Sequence, residues 1–270
     1  MLKARVITAL ILLGVFLVAL FLLPHAGWAG FVAIVIGAAA GEWGGLAGFA
    51  QNKRLAYALV TALLSFTLYL VLIGPMAGSA RTVYVLACLF WLAVVPLWLQ
   101  RKWRLGNGSV AVAVGWIVLL PAGLALVQLR GFSPFVVVAV MAAIWTADIA
   151  AYFTGRAFGR HRLAPRISPG KTWEGALGAV IAVVVYGVSI LVWQGRLPGK
   201  AAALFGVVAG LVLLTGISVA GDLLESLLKR QAGVKDSGRL LPGHGGILDR
   251  IDSLASALPL AGLVWSILYR

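Results

Sequence analysis

Nine apolar runs, near residues 6–23, 26–46, 55–76, 83–100, 109–128, 134–153, 175–195, 201–224 and 253–269, leave this chain one way to hide its surface. A helical stretch of roughly 20 apolar residues matches a bilayer core of roughly 30 Å, and within lipid every backbone N–H and C=O must be satisfied inside the span. Of 270 residues, 62% are hydrophobic and 11% charged, with a mean hydropathy of +1.03; soluble domains carry about 25% charged residues. The sequence therefore predicts an all-α polytopic integral membrane protein of about nine transmembrane helices. Met1 to Arg5 followed by Val6 to Leu23 looks at first like a signal peptide, but the length of the run and the spans behind it make it an uncleaved first span.

Lys and Arg orient the helices. With a cytosolic N terminus, 17 of the 22 fall in cytosolic segments, all but Arg81, Arg130, Arg196, Lys200 and Arg270. Removing one span before residue 155 would place the two most charged loops on the wrong side. The net charge of +14 suits topology and attraction to anionic membrane lipids. No basic face is interleaved with exposed aromatics, so a nucleic acid polymer is not an expected partner. Cys88, the single cysteine, lies in an apolar run and excludes a disulfide framework, while His25, His161 and His244 are too scattered for a zinc site.

The acids divide the chain. All eight fall on or near the cytosolic side, and seven of them lie between residues 148 and 252; the other is Glu42. Residues 1–130 read as membrane scaffold, with Gly and Ala allowing close helix packing. Residues 131–270 read as the region that carries the chemistry, with a cytosolic-face polar site in loops 154–174 and 229–250.

In the first polar segment, Asp148 and Tyr152 stand four apart on one helical face, and an acid at that depth should face a polar cavity. The string SPGKTWEG follows at 168–175. Ser168 or Thr172 can cap the next helix, with Glu174 in its first turn, and that N-terminus can also receive an anion. Lys171 is a candidate phosphate contact, with simple capping as the alternative. A P-loop is rejected because Pro165 stands where its first Gly is required and no strand is expected ahead of it.

The second segment, SLLKRQAGVKDSGRLLPGHGGILDRID from Ser226 to Asp252, is richer. Asp222, Glu225, Ser226 and Lys229 form one polar stripe on a helix whose other faces are Leu. Gly243, Gly245 and Gly246 around His244 allow a tight backbone whose N–H groups can approach phosphate. Asp249 and Asp252, three apart, offer with Asp222 hard oxygen ligands suited to Mg²⁺ bound together with substrate phosphates. Lys229, Arg230, Lys235 and Arg250 supply the matching positive charge. Acids for a metal and bases for phosphate are what phosphoryl-type transfer requires; a salt-bridge network is the plainer alternative.

At these residues the chain resembles a known family. Ser226, Lys229, Arg230, Lys235, Asp236, Pro242, His244, Gly245, Gly246, Asp249, Arg250 and Asp252 fit the signature of the phosphatidate cytidylyltransferases. SPGKTWEG is similar to that family's second conserved element, except that Lys is expected where Gly170 stands, and Asp148 and Tyr152 sit where the family carries D-x-x-A-Y. The resemblance covers about residues 145–253. It implies transfer of CMP from CTP to phosphatidate in the inner leaflet, giving CDP-diacylglycerol and pyrophosphate, in a homodimer. For that reaction Asp222, which stands just outside the signature, and Asp249 are expected to hold Mg²⁺, with Asp252 or Asp148 completing the shell and room for a second cation. Lys229, Arg230, Lys235 and Arg250, with Asp236 beside them, clamp phosphates; Ser168, Lys171, Thr172 and Glu174 form the other wall. His244 either donates to the departing pyrophosphate or shapes the turn. Two other readings stay open at this point: a CTP-dependent lipid-alcohol kinase, and a carrier for anionic substrates.

Overall fold

The computed structural model describes residues 2–73 and 77–268, with side chains described from residue 6 and again from residue 80. Lys3, Arg5 and Arg270, used in the charge census, fall outside the described side chains. The helices are α1 (Leu2–Leu22), α2 (His25–Leu46), α3 (Gln51–Leu72), α4 (Ala77–Leu89), α5 (Val95–Arg101), α6 (Ser109–Phe132), α7 (Pro134–Phe158), α8 (Trp173–Trp193), α9 (Ala201–Gln231) and α10 (Leu248–Leu268). A π-helical turn over Phe90–Val94 joins α4 to α5 into one span. It ends two residues before Pro96, which has no N–H to continue the α ladder. Among the described residues eight helical segments are long and apolar enough to cross a membrane, and Val6–Leu22 is a shorter apolar helix before them.

Helices α2, α6 and α10 are the most buried, whereas α3, α8 and α9 turn much of their surface outward. Small residues make the inner contacts possible. At Gly37, a Cβ would come within 2.7 Å of Ala62 on α3, so the two backbones approach as closely as glycine permits. Polar aromatics in the core find acceptors on neighbouring helices, as burial in an apolar interior requires. Trp43 Nε1 donates to the Ala111 carbonyl at 2.9 Å, and Trp116 Nε1 to Thr61 Oγ1 at 3.0 Å.

Two sequence expectations change. The charged segments are more helical than apolar patterning implied: α7 runs to Phe158, α9 to Gln231, and α10 starts at Leu248. Lys229 and Arg230 are thus helical, and the connecting loop is 232–247, not 229–250. Hydropathy ends a span at its first charge, but Ser226-Leu-Leu-Lys-Arg-Gln consists mostly of good helix formers that carry the same backbone onward. Secondly, β1 (Arg162–Ala164) and β2 (Ser168–Thr172) form an antiparallel hairpin before α8. The expectation of no strand there does not hold; the argument from Pro165 against a P-loop is unaffected.

Candidate functional site

The hairpin and the ends of α7, α9 and α10 gather the chain's carboxylates. Gly221 sets the spacing: a Cβ there would collide with Ser256 Oγ and the Asp252 carbonyl, so α9 meets α10 at van der Waals distance. Asp222, the next residue, receives Lys171 from β2, Nζ to Oδ2 at 2.5 Å, and the Ser226 hydroxyl at 3.2 Å on Oδ1. Asp148 of α7 accepts from Ser253 Oγ at 3.4 Å, and Asp252 Oδ1 accepts from the Ser253 amide at 2.7 Å. Asp148, Asp222, Asp252 and Lys171 lie within electrostatic range of one another. The two polar segments of the sequence are therefore one site.

A second half is built around Asp249. Its Oδ1 receives Lys229 Nζ at 2.7 Å, and Lys229 also stands 3.4 Å from Glu225 Oε1 one turn earlier. Its Oδ2 accepts from the amides of Ser237 and Gly246, each at 2.8 Å, and faces Ser237 Oγ at 2.9 Å. Asp249 thereby folds the glycine-rich loop around itself. Gly243 and Gly245, at φ of 75° and 80°, take the left-handed conformation that side chains resist, and a Leu241–Gly245 bridge closes the turn. The amide of His244 donates to Leu241 O at 2.9 Å, and no partner meets its buried Nδ1 among the described residues. Beside the turn, Asp236 Cβ lies 3.3 Å from where a Cβ at Gly245 would stand.

The remaining expected residues lie around this cluster. Thr172 caps α8, its hydroxyl accepting from the Gly175 amide at 3.1 Å; Ser168 begins β2, paired with Ala164. Glu174 pairs with His161 Nδ1 at 2.7 Å and accepts from the His161 amide, which anchors the hairpin to the helix. Tyr152 is exposed and receives Arg156 Nη1 at 3.1 Å, so it engages its own helix and not the carboxylates. Arg230, Lys235 and Arg250 are exposed, and none is ion-paired among the described residues.

Sequence reasoning missed Glu42. This α2 residue is 4% exposed, and its Oε2 accepts from the Leu248 amide at 2.8 Å and lies 3.0 Å from Ser237 Oγ. The signal existed, because an acid inside an apolar helix demands a partner; only the fold reveals which one. Ser237 and Ser253 were missed too, since a serine's role depends on what reaches it.

Mg²⁺ favours oxygen ligands and is commonly held by one or two carboxylates together with substrate phosphates. The donor set fits that habit. Asp148 of α7 lies within electrostatic range of Asp222 and Asp252, while no group of three or more His, Cys, Asp or Glu among the described residues is spaced to enclose a metal unaided. Asp249 fits less directly: its side chain is 4% exposed and holds Lys229 and two backbone amides, whereas that of Asp222 is 31% exposed and holds one lysine and one hydroxyl.

A multispanning helical bundle that concentrates carboxylates and cations at one end is built for phosphate-ester chemistry on a substrate held in the membrane. The profile described as the Cytidylyltransferase family matches residues 3–268. The chain is 42% identical over 273 residues to the phosphatidate cytidylyltransferase of Pseudomonas aeruginosa, covering 98% of each. It is 34% identical to that of Haemophilus influenzae, with 96% of each chain covered, and 41% identical to that of Synechocystis over 76% of this chain and 68% of the relative. The chain belongs to the cytidylyltransferase family.

Proposed function

We propose that the protein transfers CMP from CTP to phosphatidate, forming CDP-diacylglycerol and pyrophosphate. The observation that carries this is the ion pair between Lys171 and Asp222, which joins the hairpin to α9 and makes one site of both signature segments; similarity over nearly the whole chain to proteins named for this reaction adds support. In the step itself, a phosphatidate oxygen forms a bond to the α-phosphorus of CTP while the bond to the β-phosphate oxygen breaks. A phosphate monoester is largely ionised near neutral pH, so the attacking group needs relief of charge repulsion more than a base.

Lys171 stands at the head of α8 and can exchange Asp222 for a phosphate oxygen. Arg230, Lys235 and Arg250, exposed on the rim, draw in the triphosphate and the lipid phosphate and hold them in line. Lys229 acts differently from the expectation, through Asp249, whose carboxylate shapes the loop that faces the nucleotide. Asp222, with Asp252 or Asp148, would hold Mg²⁺, and the chemistry that ion would supply is relief of phosphate charge. The distribution of Lys and Arg favours a cytosolic site in an inner cell membrane, and each copy of a homodimer would carry a site made from its own helices.

The test is incubation of purified protein with phosphatidate, CTP and Mg²⁺. Stoichiometric pyrophosphate and CDP-lipid are expected. Release of CDP with phosphorylation of a lipid alcohol would establish the kinase reading instead, and movement of substrate with neither product would establish the carrier.

A further inference from the structure

We infer that Glu42, on a helix remote in sequence from both signature segments, is a positioning residue for the site, acting through Ser237 and Asp249. This rests on the function proposed above. The Leu248 amide is the first of α10, one of the donors that a helix leaves without an intrahelical partner. Glu42 supplies the missing acceptor from 206 residues away, at 2.8 Å, so a carboxylate from α2 sits at the positive end of α10. Asp249, the next residue of that helix, turns back onto the Gly246 amide. The start of α10 is thus fixed by two acids, one local and one brought by the fold.

Ser237 links them. Its Oγ lies 3.0 Å from Glu42 Oε2 and 2.9 Å from Asp249 Oδ2, and it accepts from the Asp249 amide at 3.3 Å. A serine hydroxyl has one proton and can donate to only one of the two carboxylates at a time. What Glu42 does to that hydroxyl is therefore felt at Asp249, and through Asp249 at Lys229. The loop backbone is moulded to the carboxylate as well. A Cβ at Gly246 would collide with Glu42 Oε2 and Ser237 Oγ, and one at Gly238 with Glu42 Oε1. The loop leans, at Gly238 and again at Gly246, on one side chain from the part of the chain with no other acid.

The burial cost argues against packing as the sole role. At 4% exposure a carboxylate whose Oε1 meets no partner among the described residues is costly to keep, and an apolar side chain would serve packing better. The geometry it secures is the return.

Three variants and two readouts decide the matter. Glu42→Ala should lower turnover by about 10- to 100-fold, the usual effect of losing an outer partner of a site residue. Glu42→Gln, which keeps an acceptor for Leu248, should recover most of that loss. In a Ser237→Ala background the further cost of Glu42→Ala should shrink to a few-fold, because the two act along one path. Hydrogen–deuterium exchange provides the second readout, which needs no turnover: amides of residues 244–250 should exchange faster in Glu42→Ala, with those of α6 unchanged. Full turnover in Glu42→Ala, additive losses in the double variant, or unchanged exchange at 244–250 would each overturn the inference. Should wild type release no pyrophosphate, the proposed function fails while the exchange arm still decides the clamp. If Glu42→Ala does not fold, Ser237→Ala carries the test: it cuts the link from Glu42 to Asp249 while leaving Glu42 on the Leu248 amide, and full turnover with unchanged exchange at 244–250 in that variant would overturn the inference.

Discussion

Removing Lys229 should unfold the site before it weakens binding. Its ammonium lies 2.7 Å from Asp249 and 3.4 Å from Glu225, with the lysine side chain 14% exposed and each carboxylate 4% exposed. Lys229→Met removes the cation and leaves both acids in a place water barely reaches. Breaking a buried pair from one side costs about 3–5 kcal/mol, mostly the penalty of the uncompensated charge. Since 1 kcal/mol shifts the melting temperature of a chain near this size by about 2–4 °C, a fall of roughly 6–20 °C is expected. Thermal unfolding in detergent, followed by tryptophan fluorescence, measures it. Adding Asp249→Asn removes one stranded charge and should restore part of the melting temperature while leaving turnover low. A melting temperature within 2 °C of wild type in the single variant would refute the reasoning and return Lys229 to the rim with the phosphate-binding bases.

The converse is expected at Lys171. Its pair with Asp222 has side chains 23% and 31% exposed, so Lys171→Ala should cost no more than about 1 kcal/mol of stability yet sharply raise the CTP or phosphatidate concentration needed for half-maximal rate; normal kinetics would exclude it from phosphate contact. Thr172→Ala removes the cap of α8 and should cost about 1 kcal/mol, visible as a melting shift of a few degrees with near-normal turnover at low temperature. A chelator should abolish pyrophosphate release from wild type and Mg²⁺ should restore it, whereas activity persisting in excess chelator would remove the metal from the mechanism.

Much of this was legible because lipid imposes so few choices. Apolar run lengths located the helices to within a few residues wherever a run ended in a turn, as at Ser109 and Pro134. They failed at α9 and α10, where a helix leaves the apolar zone but keeps its hydrogen bonds, so that charge and helix end no longer coincide. The acid-and-base composition of Ser226–Asp252 pointed to the chemistry, and the i, i+4 stripe was right: Ser226 donates to Asp222 and Lys229 meets Glu225. Which acid meets which base was not legible. Lys171 and Asp222 are separated by a whole transmembrane hairpin, and Glu42 reaches Leu248 across almost the entire chain. Such pairings depend on which helices pack together, and apolar patterning in lipid carries little of that information, since helix contacts there rest on small residues and shape.

Exposure sorts the charges of the site more sharply than sequence position does. Glu42, Glu225, Lys229 and Asp249 sit together out of water's reach, where an ion pair contributes little net stability but forbids alternative arrangements of the groups around it. Arg230, Lys235 and Arg250 stand exposed and without ion-pair partners among the described residues, where a cation interacts weakly with protein and remains available to a phosphate. Between them Asp148, Asp222, Asp252 and Lys171 are partly accessible and paired in ways a ligand can displace. The consequence is an ordering of salt effects. Raising ionic strength should weaken substrate capture by the rim, where screening acts within about a Debye length of 8–10 Å, while leaving the melting temperature set by the buried group nearly unchanged. If stability fell in step with substrate affinity as salt rose, the buried and exposed charges would be one network, and the separation of framework from binding surface drawn from their exposure would be wrong.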